Sequence, residues 1–264
     1  MKTVIVAVAG MSSRFNQDMA EPVLKGIYTE GDVRKTLLYS ILRKCKGFDR
    51  VVLVGGYQYE KLVEYVSACK EDFPFQIQMV YNPNYQEFGT GYTLKLGLEQ
   101  CLQDNSSEIT LIEGDLFFDE ASLDDVKRST RSVATYNNKT IYSNKAVIAY
   151  INEAHELKYK FSTKHGSVEI TEPFLAIYNS GQIWKFADTD VVKQLVSDSP
   201  ETMWQGTNLK FIEEYFHQIS EEERELLPLK TWENCNTKAD YLKYEGPTDH
   251  PSRCQSSSNR PECP

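Results

Sequence analysis

Residues Thr3 to Ala9 are continuously apolar and rich in β-branched side chains, and the run stops at a glycine and serine cluster. That pattern belongs to a strand buried on both faces of a sheet. A second such run, Val51 to Val54, stops at Gly55 and Gly56, and between the two Leu37, Leu38, Ile41 and Leu42 recur at helical spacing within Lys35 to Lys46. The alternation continues: Tyr59 to Cys69 places Leu62, Val63 and Val66 on one helical face, and Phe75 to Tyr81 reads as a strand. Tyr92 to Leu102 reads as a helix, and Ile109 to Ile112 as a buried strand ending in Glu113-Gly114-Asp115. Strand and helix in turn predict an α/β fold, with a mixed, mostly parallel sheet flanked by helices in three Rossmann-like layers.

Beyond about residue 130 the texture changes. Ser132 to Tyr150, Leu157 to Ser162 and Val168 to Tyr178 read as strands between polar turns, an antiparallel addition to the sheet, and Ile183 to Val196 and Leu209 to Ile219 read as helices. From Gly246 the chain carries prolines and serines with hardly an apolar side chain to bury. The expectation is a single domain over 1–245 and a flexible tail or cloning remnant over 246–264.

Composition narrows the class. With 264 residues, of which 41% are hydrophobic and 25% charged, the chain is ordinary globular protein. Its formal net charge of -9 argues against nucleic acid and against an anionic membrane surface as partners. No apolar run approaches the roughly 18 to 20 residues needed to span a bilayer, and the opening run is expected to be a strand rather than a signal peptide. Cys45, Cys69, Cys101 and Cys235 are scattered with no C-x-x-C pair, which points to a reducing, cytoplasmic compartment. Cys254 and Cys263 in the tail are either a disulfide or two free thiols.

In an open parallel sheet, ligands bind beyond the carboxyl ends of the strands. After the first strand stands Ala9-Gly10-Met11-Ser12-Ser13-Arg14, a turn able to aim backbone N–H groups at an anion, with a guanidinium to grip phosphate oxygens. It matches neither the Walker nor the Rossmann glycine pattern. The first 50 residues hold nine Lys and Arg against five Asp and Glu, so bases gather around this loop. Lys25 is the second phosphate candidate or else a loop lysine in water, while Arg43, Lys44, Lys46 and Arg50 read as a solvated helix face. At the other informative strand end, Asp115 needs a cation, and a magnesium ion carried in with a triphosphate suits it. Asp119, four residues on, fits the cap of the next helix.

Together, Ala9-Gly10-x-x-Ser13-Arg14, the lysine about ten residues later, Gly55-Gly56-Tyr57 and Gly114-Asp115 resemble the sugar-phosphate and phosphocholine nucleotidyltransferase family, over residues 3 to about 243. In that family the first motif reads G-x-G-x-R and is followed by Pro-Lys; here Ser12 stands at the second glycine, and Val23-Leu24 separate Pro22 from Lys25. Tyr81 to Leu94 is similar to the family's base-contacting stretch, with Thr90 and Gly91 at the matching positions. Trp232 to Tyr241 is similar to its E-I-D-T-x-E-D-Y segment, whose central acid, the second metal ligand, falls on Asn236, with Asn234 the alternative register.

The resemblance implies a nucleotidyltransferase fold and attack of a phosphate or phosphonate oxygen on the α-phosphorus of a nucleoside triphosphate, with release of pyrophosphate. Ala9, Gly10, Met11, Ser12, Ser13, Arg14, Thr90 and Gly91 would bind the nucleotide, Arg14, Lys25 and Asp115 would act in catalysis, and Asp115 with Asn236 would hold Mg2+. It leans toward CTP and toward acceptors such as phosphocholine or aminoethylphosphonate. The acceptor candidates lie in the later half: Lys160, Lys164, His165, Glu169, Glu172, Tyr178, Trp204 and Asn208. Trp204 with Tyr178 forms either an aromatic box for an ammonium, with Glu172 pairing an amine, or ordinary core. Two other readings stand beside this one: a sugar-1-phosphate enzyme using UTP or dTTP, and a nucleotide-binding regulatory module lacking the second carboxylate. A homodimer is compatible with all three.

Overall fold

The computed structural model describes residues 1–162 and 166–243. Lys164, His165, the expected tail and its two cysteines lie outside the described residues. The first apolar run becomes β1 (Lys2–Val8), followed by α1 (Leu37–Lys44), β2 (Arg50–Gly55), α2 (Tyr59–Cys69), β3 (Gln76–Tyr81), α3 (Thr90–Gln103) and β4 (Glu108–Glu113). After these come β5 (Leu116–Phe118), α4 (Glu120–Arg128), β6 (Ser132–Asn137), β7 (Ile148–Asn152), β8 (Leu157–Lys160) and β9 (Phe174–Phe186). The chain continues with α5 (Thr189–Asp198), α6 (Glu201–Trp204), α7 (Leu209–Gln218), β10 (Arg224–Leu229), β11 (Trp232–Asn234) and α8 (Lys238–Leu242).

The sheet runs β10-β6-β9-β4-β1-β2-β3, with β7 and β8 added beside β9. β1 pairs in parallel with both β2 and β4, and β9 pairs antiparallel with β4 and β6, so six strands of the main path share one direction and β9 opposes them. This is the mixed, mostly parallel sheet expected from the alternation. It also explains the unbroken apolar runs, because β1 sends Val4, Val6 and Val8 to one face and Ile5 to the other. The first face packs on α1, α2 and α4, the second on α3, α5 and α7. Helix starts follow local chemistry: the side chains of Thr36, Asp119 and Asp188 each accept from a backbone N–H of the first turn of α1, α4 and α5.

Several expectations need correction. The strand read from Val168 begins only at Phe174, and Arg50, read as part of a solvated helix face, opens β2 and pairs with Asp104. Ile183 to Phe186 is the end of β9 and not the start of a helix; Ile183 joins one core and Trp184 and Phe186 the other, a period of two, and α5 begins only at Thr189. Lys44 is no part of a solvated face. It is 8% exposed, its ammonium lies over the rings of Phe117 and Phe118, and it donates to the Ser40 hydroxyl at 2.6 Å.

Candidate functional site

The sheet's order places β4 and β2 on opposite sides of β1, so chain connections diverge at the carboxyl ends of β1 and β4 and leave a crevice there. A cavity of about 340 Å³ occupies it. Ala9 to Arg14 form one wall. Ser12 has φ of 56°, a left-handed conformation that glycine adopts without cost, which accounts for a glycine at this place in the motif the loop resembles. Here the strained residue is tied on both sides: its carbonyl accepts from Asn16 N–H at 2.9 Å and its hydroxyl from Lys25 N–H at 3.1 Å. Phe15, fully buried against Tyr28 and Tyr241, pins the loop behind Arg14.

Opposite the loop, the Gly114 amide donates to the Ala7 carbonyl at 2.9 Å, drawing the end of β4 against β1. A Cβ on Gly114 would stand 2.3 Å from Val8 Cγ1 and 2.5 Å from the Ala7 oxygen, so only glycine lets Asp115 follow so closely. Gly114→Ala is expected to cost about 1–3 kcal/mol of stability by overpacking. A urea titration that leaves the midpoint unchanged would contradict that close approach.

Three stretches far apart in sequence meet at this point. Lys25 Nζ donates to Asp115 Oδ2 at 2.7 Å and to Asn236 Oδ1 at 3.3 Å, while Arg14 Nη2 donates to the same Asn236 oxygen at 2.7 Å. Asn236 is held in place by its own amide, which donates to Asn234 Oδ1 at 2.6 Å, and by Cys235 N–H on the Asp115 carbonyl at 2.8 Å. The antiparallel ribbon of β5 and β11, with Asn234 opposite Leu116, carries this turn to the strand end. Asn236, and not Asn234, therefore shares the Lys25 ammonium with Asp115.

The donor set suits magnesium. A carboxylate oxygen and an amide oxygen already flank one cationic group, and both are hard donors, although among the described residues no cluster of three His, Cys, Asp or Glu side chains gathers here or elsewhere, so phosphate oxygens and water would complete the coordination. Glu113 lies beside them and was not anticipated. Burial and the neighbouring Asp115 push its carboxyl up to about 7, partly offset by the 2.5 Å hydrogen bond from Asn208 Nδ2.

A second cavity of about 190 Å³ shares Arg14, Thr90, Glu113, Asp115 and Asn236 with the first and extends toward Phe161 and Asn208. Of the expected nucleotide contacts, Ala9 through Arg14 and Thr90 line the first cavity. Gly91 is not brought to it: it is buried, its N–H donates to the Gly206 carbonyl, and a Cβ there would lie 2.7 Å from the Trp204 oxygen. Its role is close packing. Tyr85 and Thr93 also line the cavity and were missed, although both fall in the stretch already compared with the family.

The acceptor box does not form. Trp204 is 1% exposed and stacked on Phe211, Tyr178 packs on Tyr136, and Glu172 is held by Tyr150 and Asn152. Trp204 is core because α6 is pressed between α3 and α7. Of the acceptor candidates, Asn208 lines the second cavity.

Comparison with known proteins adds the following. A family described as "Domain of unknown function (DUF6564)" matches residues 21–247. No curated protein matches in sequence. Among solved structures, a Bacillus anthracis protein provisionally assigned as a glucose-1-phosphate thymidylyltransferase, in complex with sucrose, superposes with a TM-score of 0.67 at 12% identity, over 93% of this chain and 94% of that one. The inositol-1-phosphate CTP transferase from T. maritima gives 0.63 at 17% identity, over 91% of each chain. HddC from Yersinia pseudotuberculosis, complexed with GMP-PN, gives 0.60 at 14%, over 92% of this chain and 97% of that one. At such identities the likeness establishes a shared fold.

Proposed function

The chain belongs to the DUF6564 family, and from the site just described we propose that it is a nucleotidyltransferase, joining a nucleoside monophosphate from a triphosphate to a small phosphorylated acceptor. The observation that carries this reading is the convergence of Arg14, Lys25, Asp115 and Asn236 where the sheet's connections diverge. The fold shared with the solved transferases supports it.

An oxygen of the acceptor's phosphate attacks the α-phosphorus, the bond to the bridging oxygen breaks, and pyrophosphate departs. The attacking group is already an anion, so the protein needs no general base and no nucleophile of its own. Its work is positioning and charge stabilisation: backbone N–H groups of the 9–14 loop and the Arg14 guanidinium face the phosphate oxygens, and Lys25 offsets charge developing on them. Magnesium, held by Asp115 and Asn236, would supply further charge neutralisation on the phosphates.

The second cavity bears on the acceptor. Glu113 presents one oxygen to Asn208 and, among the described residues, has no hydrogen-bond partner for the other, a pairing of acceptor and amide suited to hydroxyl groups. With the aromatic box absent, a hydroxylated phosphate is favoured over phosphocholine. The choice of CTP rests on the likeness of the sequence motifs. The test is pyrophosphate release with each of the four common triphosphates against glucose-1-phosphate, inositol-1-phosphate, phosphocholine and aminoethylphosphonate. Turnover with none of them would favour a binding module. Arg14→Ala is expected to weaken binding of the accepted triphosphate by about 1.5–3 kcal/mol through lost charged hydrogen bonds, and unaltered affinity by calorimetry would detach the loop from phosphate binding.

A further inference from the structure

We infer that Lys25 holds the cation position between Asp115 and Asn236, so that a divalent ion enters together with the triphosphate and not ahead of it. The ammonium lies on Asp115 Oδ2 and Asn236 Oδ1, the two oxygens a metal ion would need, and Arg14 takes a further share of the Asn236 oxygen. The Asn236 oxygen therefore already accepts from two donors, and the Asp115 carboxylate already holds a cation. Two basic groups, Arg14 and Lys25, face two acids, Glu113 and Asp115, and a dication added alone would leave the cluster strongly positive at short range. A triphosphate reverses that balance and offers the ammonium a new partner.

The backbone beneath Lys25 is fixed. Its N–H is bound by Ser12, the preceding Leu24 is 2% exposed, and Gly26 is buried between Leu38, Val8 and the Gly114 carbonyl. The four-carbon stem can carry Nζ from carboxylate to phosphate with the loop unmoved. In this role Lys25 orders the events at the site, beyond neutralising charge in the reaction. The identity of the incoming anion rests on the nucleotidyltransferase reading; the competition between ammonium and metal does not.

The test uses Mn2+ with the full, metal-free chain, reading water-proton relaxation, which rises when the ion is held by protein. Without nucleotide, wild type is expected to bind Mn2+ weakly and Lys25→Ala at least about tenfold more tightly. Adding Asp115→Asn to that variant should abolish the gain. Lys25→Met keeps the apolar stem without the charge and serves if the alanine variant melts early. Equal affinity in wild type and both Lys25 variants, including no binding in any, would overturn the inference, as would a gain that survives Asp115→Asn. With CTP present, wild type should show the enhancement that Lys25→Ala shows without it. Wild type that binds Mn2+ equally well with and without nucleotide would also overturn it. Failure of enhancement in wild type with all four common triphosphates would instead count against the nucleotidyltransferase reading, and the metal-only comparison would still decide the role of Lys25.

Discussion

Asp115→Asn is expected to leave a folded protein with turnover reduced by about 10³ or more, since on the proposed reading it removes the carboxylate that would hold the metal against the phosphates. The substitution keeps the shape of the side chain, so packing of Gly114 against β1 is undisturbed. Its ion pair with Lys25 lies at the cavity wall, with the two side chains 22% and 19% exposed, and Lys25 can turn to water when its partner is neutral. The stability change should therefore stay within about 1 kcal/mol. Pyrophosphate release across a magnesium series, with thermal melts alongside, separates the two effects. Turnover that keeps the wild-type magnesium response would take Asp115 out of the site.

The second large effect lies away from the cavity, at Lys44. Burial drives its ammonium down to about 8, from an unfolded value near 10.5. A lysine whose folded value is depressed releases its proton more readily when folded, so the penalty is fully present below about pH 8 and is removed as pH rises from 8 toward 10.5. Wild type should gain stability across that window. Lys44→Met, free of the charge, should be more stable than wild type at pH 7 by about 2 kcal/mol, below the roughly 3 kcal/mol implied by the shift because the contacts with Phe117 and Phe118 are lost. The difference should shrink steadily on going to pH 10. Urea denaturation at pH 7, 8.5 and 10 is the measurement, and a difference that is independent of pH, or of opposite sign at pH 7, would show that the ammonium is not held against its hydration.

Lys44 also shows what a sequence offers and what a reader passes over. It stands seven residues after Leu37 and three after Ile41, on the apolar face of α1, so the spacing alone was enough to bury it. The parallel strands were readable for a firmer reason, since an unbroken β-branched run such as Val51 to Val54 has nowhere to go except between two layers. β9 misled because Asn179, Ser180 and Gly181 look like a turn; in the structure they continue a thirteen-residue strand that exchanges partners, from β7 to β6 and β4. At the site, Arg14 and Asp115 announced themselves as charges at the ends of buried strands. Glu113 ends the same strand as the run leading to Asp115, and its partner Asn208 comes from the start of α7, a contact that no local pattern encodes. Trp204 illustrates the reverse: a large aromatic residue fits a cage or a core equally well until its neighbours are known.

The bond from Arg14 to Asn236 spans 222 positions of sequence. A loop of that length carries a large entropic cost of closure, so the site is complete only after the sheet between its two ends has formed. A nucleotide that bridges the 9–14 loop and the 234–236 turn would then bind the native state and very little else, and its affinity would be read as resistance to unfolding of the whole chain. Amide protons along β5 and β11, which carry the turn to the site, should exchange more slowly on addition of nucleotide, because freeing that ribbon would dismantle half of the binding surface.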